Sequence, residues 1–182
     1  NEDLKFPLLG NVPFNAGFSD IRGSNKNLLS SLSLMDDNRN QKDYYYSNFY
    51  VSEALRNIYT SIRFLNSEKP LKTFILASSV PKEGKSLINI LLSKIFCDMG
   101  EKVLLIDTDL RKPQIHERLS MNNIIGLSDF LVNKQTNLND VVQSSSIINN
   151  LDVITAGSKV PDPPRLLNSQ RFELLVKDLK QS

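Results

Sequence analysis

Cysteine, histidine and tryptophan are almost missing from this sequence, which has one Cys (Cys97), one His (His116) and no Trp in 182 residues. A lone cysteine cannot build a disulfide framework, and a single histidine leaves no Cys/His cluster for a structural metal. Cys97 lies among apolar residues at helix-like spacing and suits a reducing compartment. Charge of one sign is also lacking: 22 Lys and Arg stand against 20 Asp and Glu, a net charge of +2. That balance argues against a nucleic-acid partner, whose phosphates call for clustered positive charge. No apolar run approaches the roughly 18 residues of a membrane-spanning helix, and Asn1-Glu2-Asp3 lacks the layout of a signal peptide. The chain starts without Met and reads as a piece of something longer. No internal repeat stands out.

What is present is a globular body. Forty per cent of the residues are apolar, enough at this length for one domain plus an extension. The apolar cluster Phe6-Pro7-Leu8-Leu9-Gly10, followed by Val12-Pro13, is expected to dock as a short strand or lie against a neighbour. Residues 15–43 turn to Asn, Ser, Gly and Asp and read as a linker. The boundary falls there: residues 1–48 form a leading segment and linker, and residues 49–182 the body. All five tyrosines, Tyr44, Tyr45, Tyr46, Tyr50 and Tyr59, sit in one window, expected to pack as an aromatic anchor for the linker rather than serve as exposed phosphoacceptors.

Residues 51–65 carry Leu55, Ile58, Ile62 and Leu65 at helical spacing, with Glu53 and Arg56 on the polar face as a solvated pair one turn apart. After a break at 66–70, the apolar run at 71–77 has the length of a strand. Leu87, Ile88, Leu91, Leu92, Ile95 and Phe96 then predict a helix ending at Met99-Gly100, where the glycine suits a C-cap. Val103-Leu104-Leu105-Ile106 is a buried strand, closing a β-α-β unit with the run at 71–77. Short helices are expected at 115–119, 126–131 and 138–142, a third strand at 151–157, a rigid loop from Pro161 to Pro164, and a last helix at 169–180 with Ser169 as N-cap.

Between the run at 71–77 and the first long helix of the body lies Ser78-Ser79-Val80-Pro81-Lys82-Glu83-Gly84-Lys85-Ser86. Its end fits G-x-x-x-x-G-K-[ST], with Ser79 in the first glycine position. Such a loop turns consecutive backbone N–H groups toward a phosphate at a helix N-terminus, while a lysine reaches the terminal phosphates and a hydroxyl holds Mg²⁺. Pro81, Lys82, Glu83, Gly84, Lys85, Ser86 and Leu87 are the candidate nucleotide-binding residues. Asp107 and Asp109, two apart just past a strand, would put their carboxylates on one face at the strand end where α/β sheets bind ligands. They could hold Mg²⁺ or take a proton from an attacking hydroxyl.

The phosphate loop together with Val103-Leu104-Leu105-Ile106-Asp107-Thr108-Asp109-Leu110-Arg111-Lys112-Pro113 resembles the bacterial tyrosine kinases that control capsular and exopolysaccharide synthesis, where the two stretches are called Walker A and Walker A′. The resemblance extends to Glu53-Ala54-Leu55-Arg56, His116, Gly126-Leu127-Ser128-Asp129-Phe130-Leu131, Ala156-Gly157 and Leu166-Leu167. Pro7-Leu8-Leu9-Gly10 with Val12-Pro13 looks like the cytosolic stretch after the last membrane helix of single-chain members.

The resemblance implies an α/β, P-loop NTPase-like three-layer fold with a mainly parallel sheet, incomplete here. It implies an ATP-dependent, Mg²⁺-requiring protein-tyrosine autokinase, with Lys85, Asp107 and Asp109 catalytic and Ser86, Asp107 and Asp109 at the metal. Arg111 matches the arginine that follows Walker A′, and His116 is expected to be structural. It further implies a homo-oligomer with contacts through Glu53 and Arg56, a transmembrane chain-length-determinant partner in the same or another chain, the polysaccharide export machinery, and a place on the cytoplasmic face of the inner membrane.

Three residues depart from the family pattern, which tolerates Ser79 at the first glycine: Leu87 where a second hydroxyl is frequent, Tyr59 in place of the second arginine of an E-x-x-R-x-x-R helix, and Arg165 where the proline loop has an acid. A Walker B strand and the acceptor tyrosine cluster are expected beyond residue 182, so these 182 residues are expected to be an incomplete kinase domain. The competing readings are a partition- or septum-site-type ATPase switch, whose loops carry a lysine at the position of Val80, and a non-catalytic nucleotide-binding assembly module.

Overall fold

The structure, a computed structural model, describes residues 8–13, 42–65, 71–80 and 83–181, with the backbone alone at 42–48 and 181. The linker up to residue 41, the break at 66–70, Phe6 and Pro7, and Pro81 and Lys82 of the phosphate loop lie outside the described residues. Chain contacts divide the protein at Leu71/Lys72 into two units.

In the first unit, helix α1 spans Lys42–Phe64. Its buried stripe is Val51, Leu55 and Ile62, spaced four and seven apart as one face of a helix requires. Two expectations fail here. The helix begins nine residues before position 51, within the tyrosine window. Tyr50, expected to pack as part of an aromatic anchor, is 60% exposed with its ring edge-on to Phe49, and Leu65, expected in the apolar stripe, is 52% exposed. The side chains of Tyr44, Tyr45 and Tyr46 lie outside the described residues. Residues 8–13 form no strand. Gly10 lies against Ile58, whose side chain fills the space a Cβ would need.

The second unit is a layered α/β body. Helix α2 (Lys85–Asp98) is followed by strand β1 (Val103–Ile106). The expected glycine stop is present: Gly100 takes φ 90°, its N–H donates to Cys97 O, and the Glu101 N–H donates to Phe96 O. Those two bonds make a Schellman cap, which satisfies carbonyls the helix end would otherwise leave unpaired. Cys97 is buried in this helix, and burial pushes its thiol up to about 11.

Three short helices come next, α3 (Ile115–Arg118), α4 (Leu127–Val132) and α5 (Leu138–Val141), then strands β2 (Val142–Ser144) and β3 (Leu151–Ile154). Helices α6 (Pro163–Leu167) and α7 (Gln170–Gln181) finish the unit. The sheet order is β1-β3-β2, with β1 parallel to β3 from Val103↔Leu151 to Ile106↔Ile154 and β2 antiparallel to β3.

Side chains alternate across a strand, and the two faces have different partners. Leu104, Ile106 and Ile154 join one core cluster with Leu110, Leu127, Leu131, Val141 and Leu175 from α4, α5, α7 and the loop after β1. Helix α2 packs on β1 and β3 without entering that cluster, so it covers the opposite face. Helix, sheet and helices therefore form three layers. Each fully buried Leu or Ile contributes about 1.5–3 kcal/mol.

The structure corrects three sequence expectations. The run at 71–77 forms no strand, because no described residue pairs with it. Leu71, Phe74 and Ile75 stay exposed, although the Phe74 ring stacks on Phe96 at 5.6 Å. The helix expected through 142 stops at Val141, and Val142 begins an unforeseen strand fixed by Ser144 Oγ donating to Asp152 Oδ1 at 2.6 Å. The rigid proline loop opens a helix instead, since Pro163 and Pro164 occupy first-turn positions where no amide is needed and Asp162 accepts the Arg165 N–H. Ser169 does cap α7, its Oγ accepting the Phe172 N–H at 3.3 Å.

Candidate active site

The turn from α2 into β1 is only four residues long, and the helix packs on that strand. The two elements must therefore run in opposite directions. The N-terminus of α2, with the phosphate loop, lies at the end of β1 that leads into Asp107 and Asp109. Connectivity alone thus brings the two predicted motifs to one end of the sheet.

The loop is shaped by Gly84, which takes φ 91° and ψ 14° at the N-cap of α2. A Cβ built there would meet nothing within 4 Å, so the left-handed backbone sets the need for glycine and the space beside it is open. Lys85 is half-buried and folds across the loop, its Nζ 2.8 Å from Ser78 Oγ. The Glu83 carboxylate accepts from Ser79 Oγ and from the Val80 N–H, both at 3.4 Å. Loop donors already hold an anion, and the fourteen-residue α2 aims its dipole the same way. The loop therefore fits a phosphate. Ser86 and Leu87, half-buried, begin the helix.

Asp107 extends the β1/β3 ladder, its N–H donating to Ile154 O at 2.9 Å. The residue is only 3% exposed. Its Oδ1 accepts the Asp109 N–H at 3.1 Å, and its Oδ2 accepts the Ile115 N–H at 3.3 Å. Burial pushes its carboxyl above the ordinary value; these two backbone bonds pull the other way without reversing the shift. Asp109 is exposed, and its Oδ1 accepts the N–H groups of Arg111 at 3.3 Å and Lys112 at 3.0 Å. One carboxylate is inside, one outside, and both are tied to the same loop. Among the described residues no three His, Cys, Asp or Glu side chains gather as a metal site. A Mg²⁺ ion here would rest on the Ser86 hydroxyl, one or both aspartates and phosphate oxygens, the sparse protein ligation usual for that ion.

The raised Asp107 carboxyl sets a pH dependence. Above the unfolded value of 3.8 the folded state binds more protons at this group than the unfolded state does. Stability from this residue therefore falls as pH rises through the folded value. Asp107→Asn has no carboxylate to desolvate. Urea midpoints at pH 4 and pH 7 are expected to show the variant gaining on the wild type toward pH 7; a difference that stays constant with pH rules this out.

Glu53 and Arg56 form an exposed ion pair at 2.8 Å within α1, three residues apart, worth at most about 1 kcal/mol in isolation. His116 is half-buried, and among the described residues its buried Nδ1 has no hydrogen-bond partner.

Sequence reasoning missed a second node. Leu127 N–H and Ser128 N–H donate to Thr155 O and Ala156 O, while Ser128 Oγ donates to Ser158 O at 2.7 Å. The Asp129 carboxylate accepts the N–H groups of Gly126 and Ser158 at 2.9 and 3.1 Å. Burial would raise its carboxyl, but hydrogen bonds from Ser158 and Gly126 outweigh that and hold it below the ordinary value. Asn123 brackets Gly157, accepting its N–H at 2.8 Å and donating to its carbonyl at 3.1 Å. The only trace in the sequence was Gly126-Leu127-Ser128-Asp129 and Ala156-Gly157, with nothing to link the two.

Comparison with known proteins bears on this arrangement. No family model matches the sequence. The tyrosine-protein kinase YwqD of Bacillus subtilis (strain 168) is 40% identical over 125 residues, 69% of this chain and 52% of that protein. The tyrosine-protein kinase etk of Escherichia coli (strain K12) is 33% identical over 124 residues, 68% of this chain and 17% of that protein. Among solved structures, the BceF tyrosine kinase domain matches with a TM-score of 0.74 at 27% identity, covering 96% of this chain and 67% of that one. The kinase domain of Escherichia coli tyrosine kinase ETK gives 0.72 at 25%, covering 96% and 64%.

This chain belongs to the bacterial tyrosine kinases. It spans about half the length of YwqD and a smaller part of etk. The α/β, P-loop NTPase-like fold class of this kinase family agrees with the three layers described above, and the sheet described here holds one parallel and one antiparallel pairing. Among the described residues no helix is long and apolar enough to cross a membrane.

Proposed function

We propose that the chain forms the nucleotide-binding part of an ATP-dependent protein-tyrosine kinase that phosphorylates its own kind and regulates polymerisation and export of a capsular or extracellular polysaccharide. The observation that carries the reading is the convergence of an open, glycine-hinged phosphate loop with the Asp107/Asp109 pair at one end of one strand. In this reading Pro81 to Leu87 hold the phosphates of ATP and Lys85 neutralises its terminal groups. Ser86 and the aspartates would hold Mg²⁺, which would supply positive charge to the phosphate oxygens. The exposure of Asp109 suits it to meet an incoming tyrosine hydroxyl and accept its proton, while buried Asp107 orients the loop that carries it.

In this reading residues 1–48 serve as tether and residues 49–182 as the catalytic part, with helix α1 running across that boundary. A homo-oligomer through the α1 face of Glu53 and Arg56, a transmembrane chain-length-determinant partner, the export machinery and a site at the cytoplasmic face of the inner membrane complete the proposal, in line with the family.

Radiolabelled ATP tests it. Label on protein tyrosine, lost in Asp109→Asn, is the expected result. Free phosphate with no labelled protein would replace the kinase by a switch ATPase, and nucleotide binding with neither product would leave an assembly module.

A further inference from the structure

Beside Asp109 lies a cleft of about 440 Å³ whose walls are Leu110 and Arg111 on one side and residues 159–164 on the other. We propose that this cleft is the acceptor-docking groove, taking a peptide whose tyrosine is flanked by carboxylates; the assignment rests on the kinase reading and adds its substrate preference. Position is the first argument. Asp109 Oδ1 is bonded to the backbone N–H of Arg111, so the carboxylate and the groove wall are parts of one turn. A peptide in the groove is therefore held against the turn that carries that carboxylate.

Charge is the second argument. Arg111 and Lys159 are both exposed, and neither makes an ion pair among the described residues. The carboxylate in the lining, Asp162, accepts the Arg165 N–H at the start of α6. These two cations beside the apolar lining residues Leu110 and Val160 complement acidic residues next to an aromatic ring.

Shape is the third. The far wall is fixed in advance: Asp129 and Asn123 hold residues 157–158, and the prolines at 161, 163 and 164 stiffen the stretch from there into α6. A preformed wall lowers the ordering cost of binding an extended chain. Ile124, 73% exposed, continues the surface beyond the cleft, its carbonyl accepting from Ser158 Oγ. That apolar shoulder has a use for a peptide and none for a compact small molecule.

The test is a fluorescence-anisotropy titration, without nucleotide, of fluorescein-labelled Glu-Glu-Tyr-Glu-Glu against the purified protein, with Lys-Lys-Tyr-Lys-Lys as counterpart. The acidic peptide is expected to bind preferentially, to weaken as salt rises, and to lose roughly tenfold or more in affinity in the charge-reversed double variant Arg111→Glu/Lys159→Glu. Lys159→Arg is expected to retain binding. Equal binding of both peptides, salt-independent binding by the wild type, an unaffected double variant, or no binding at all would each overturn the groove. A fluorescent ATP analogue titrated separately against the wild type distinguishes the two failures: nucleotide binding without peptide binding removes the groove and spares the kinase reading.

Discussion

Lys85→Met is expected to lower phosphoryl transfer to tyrosine by at least about 100-fold, the scale seen when a preorganised charge is removed from a developing transition state. The expectation follows from where the ammonium sits. It is half-buried at the N-terminal turn of α2 and its one described bond is to Ser78 Oγ at 2.8 Å. Removing that charge-assisted bond costs at most about 1.5–3 kcal/mol of stability, so the variant should lower the melting midpoint modestly and stay folded while its activity collapses. Met keeps the length and apolar stem of lysine and deletes the charge alone. Lys85→Arg separates charge from shape, because a planar guanidinium cannot reproduce the compact point charge, and a partial loss is expected. Initial rates of tyrosine labelling at saturating ATP, set beside thermal melts, decide the matter. Full transfer in Lys85→Met would remove the phosphate loop from the reaction.

The parts of the fold that were legible in the sequence are those set by local chemistry. Gly84 and Gly100 stand where the backbone turns left-handed, Ser169 stands one residue before α7, and Val103-Leu104-Leu105-Ile106 is apolar throughout because helices cover both faces of its strand. The failures share one cause. Whether residues 71–77 join a sheet depends on a partner strand, and whether Val142–Ser144 does depends on Asp152 lying opposite Ser144; neither is a property of the segment. The tyrosine-rich start of α1 misled for a smaller reason, since aromatic residues fall only about 0.5 kcal/mol behind alanine in a helix. The candidate site followed the same division. The phosphate loop and the aspartate pair are short motifs with fixed internal spacing, so they were visible. The Gly126, Asp129 and Gly157 node joins residues about thirty positions apart, and only the folded chain shows it.

That node supplies the second large effect, in the opposite sense to the first. Gly126 has φ −162°, extended backbone open to any residue, so conformational freedom does not explain the glycine. Space does: a Cβ there would collide with Thr155 O and Gly157 N, the latter 2.5 Å away, and with Gly157 Cα at 2.8 Å. All three are backbone atoms of the chain leaving β3, and no side-chain rotation relieves the clash. Gly126→Ala must push α4 off that segment, straining the bonds from Leu127 and Ser128 and loosening the Asp129 cap, for an expected loss of about 3 kcal/mol or more. At this size that lowers the melting midpoint by roughly 6–12 °C. Gly100→Ala is the matched comparison, since its Cβ would meet nothing within 4 Å although φ is 90°, and only the left-handed penalty of about 1 kcal/mol applies. A Gly126→Ala midpoint within about 2 °C of the wild type, or no lower than that of Gly100→Ala, would show that the contact yields. If the clash holds, the exit from β3 shifts and carries Lys159 with it. The groove should then lose affinity for the acidic peptide at temperatures where the phosphate loop still binds nucleotide, because α2 packs on the opposite face of the sheet from α4.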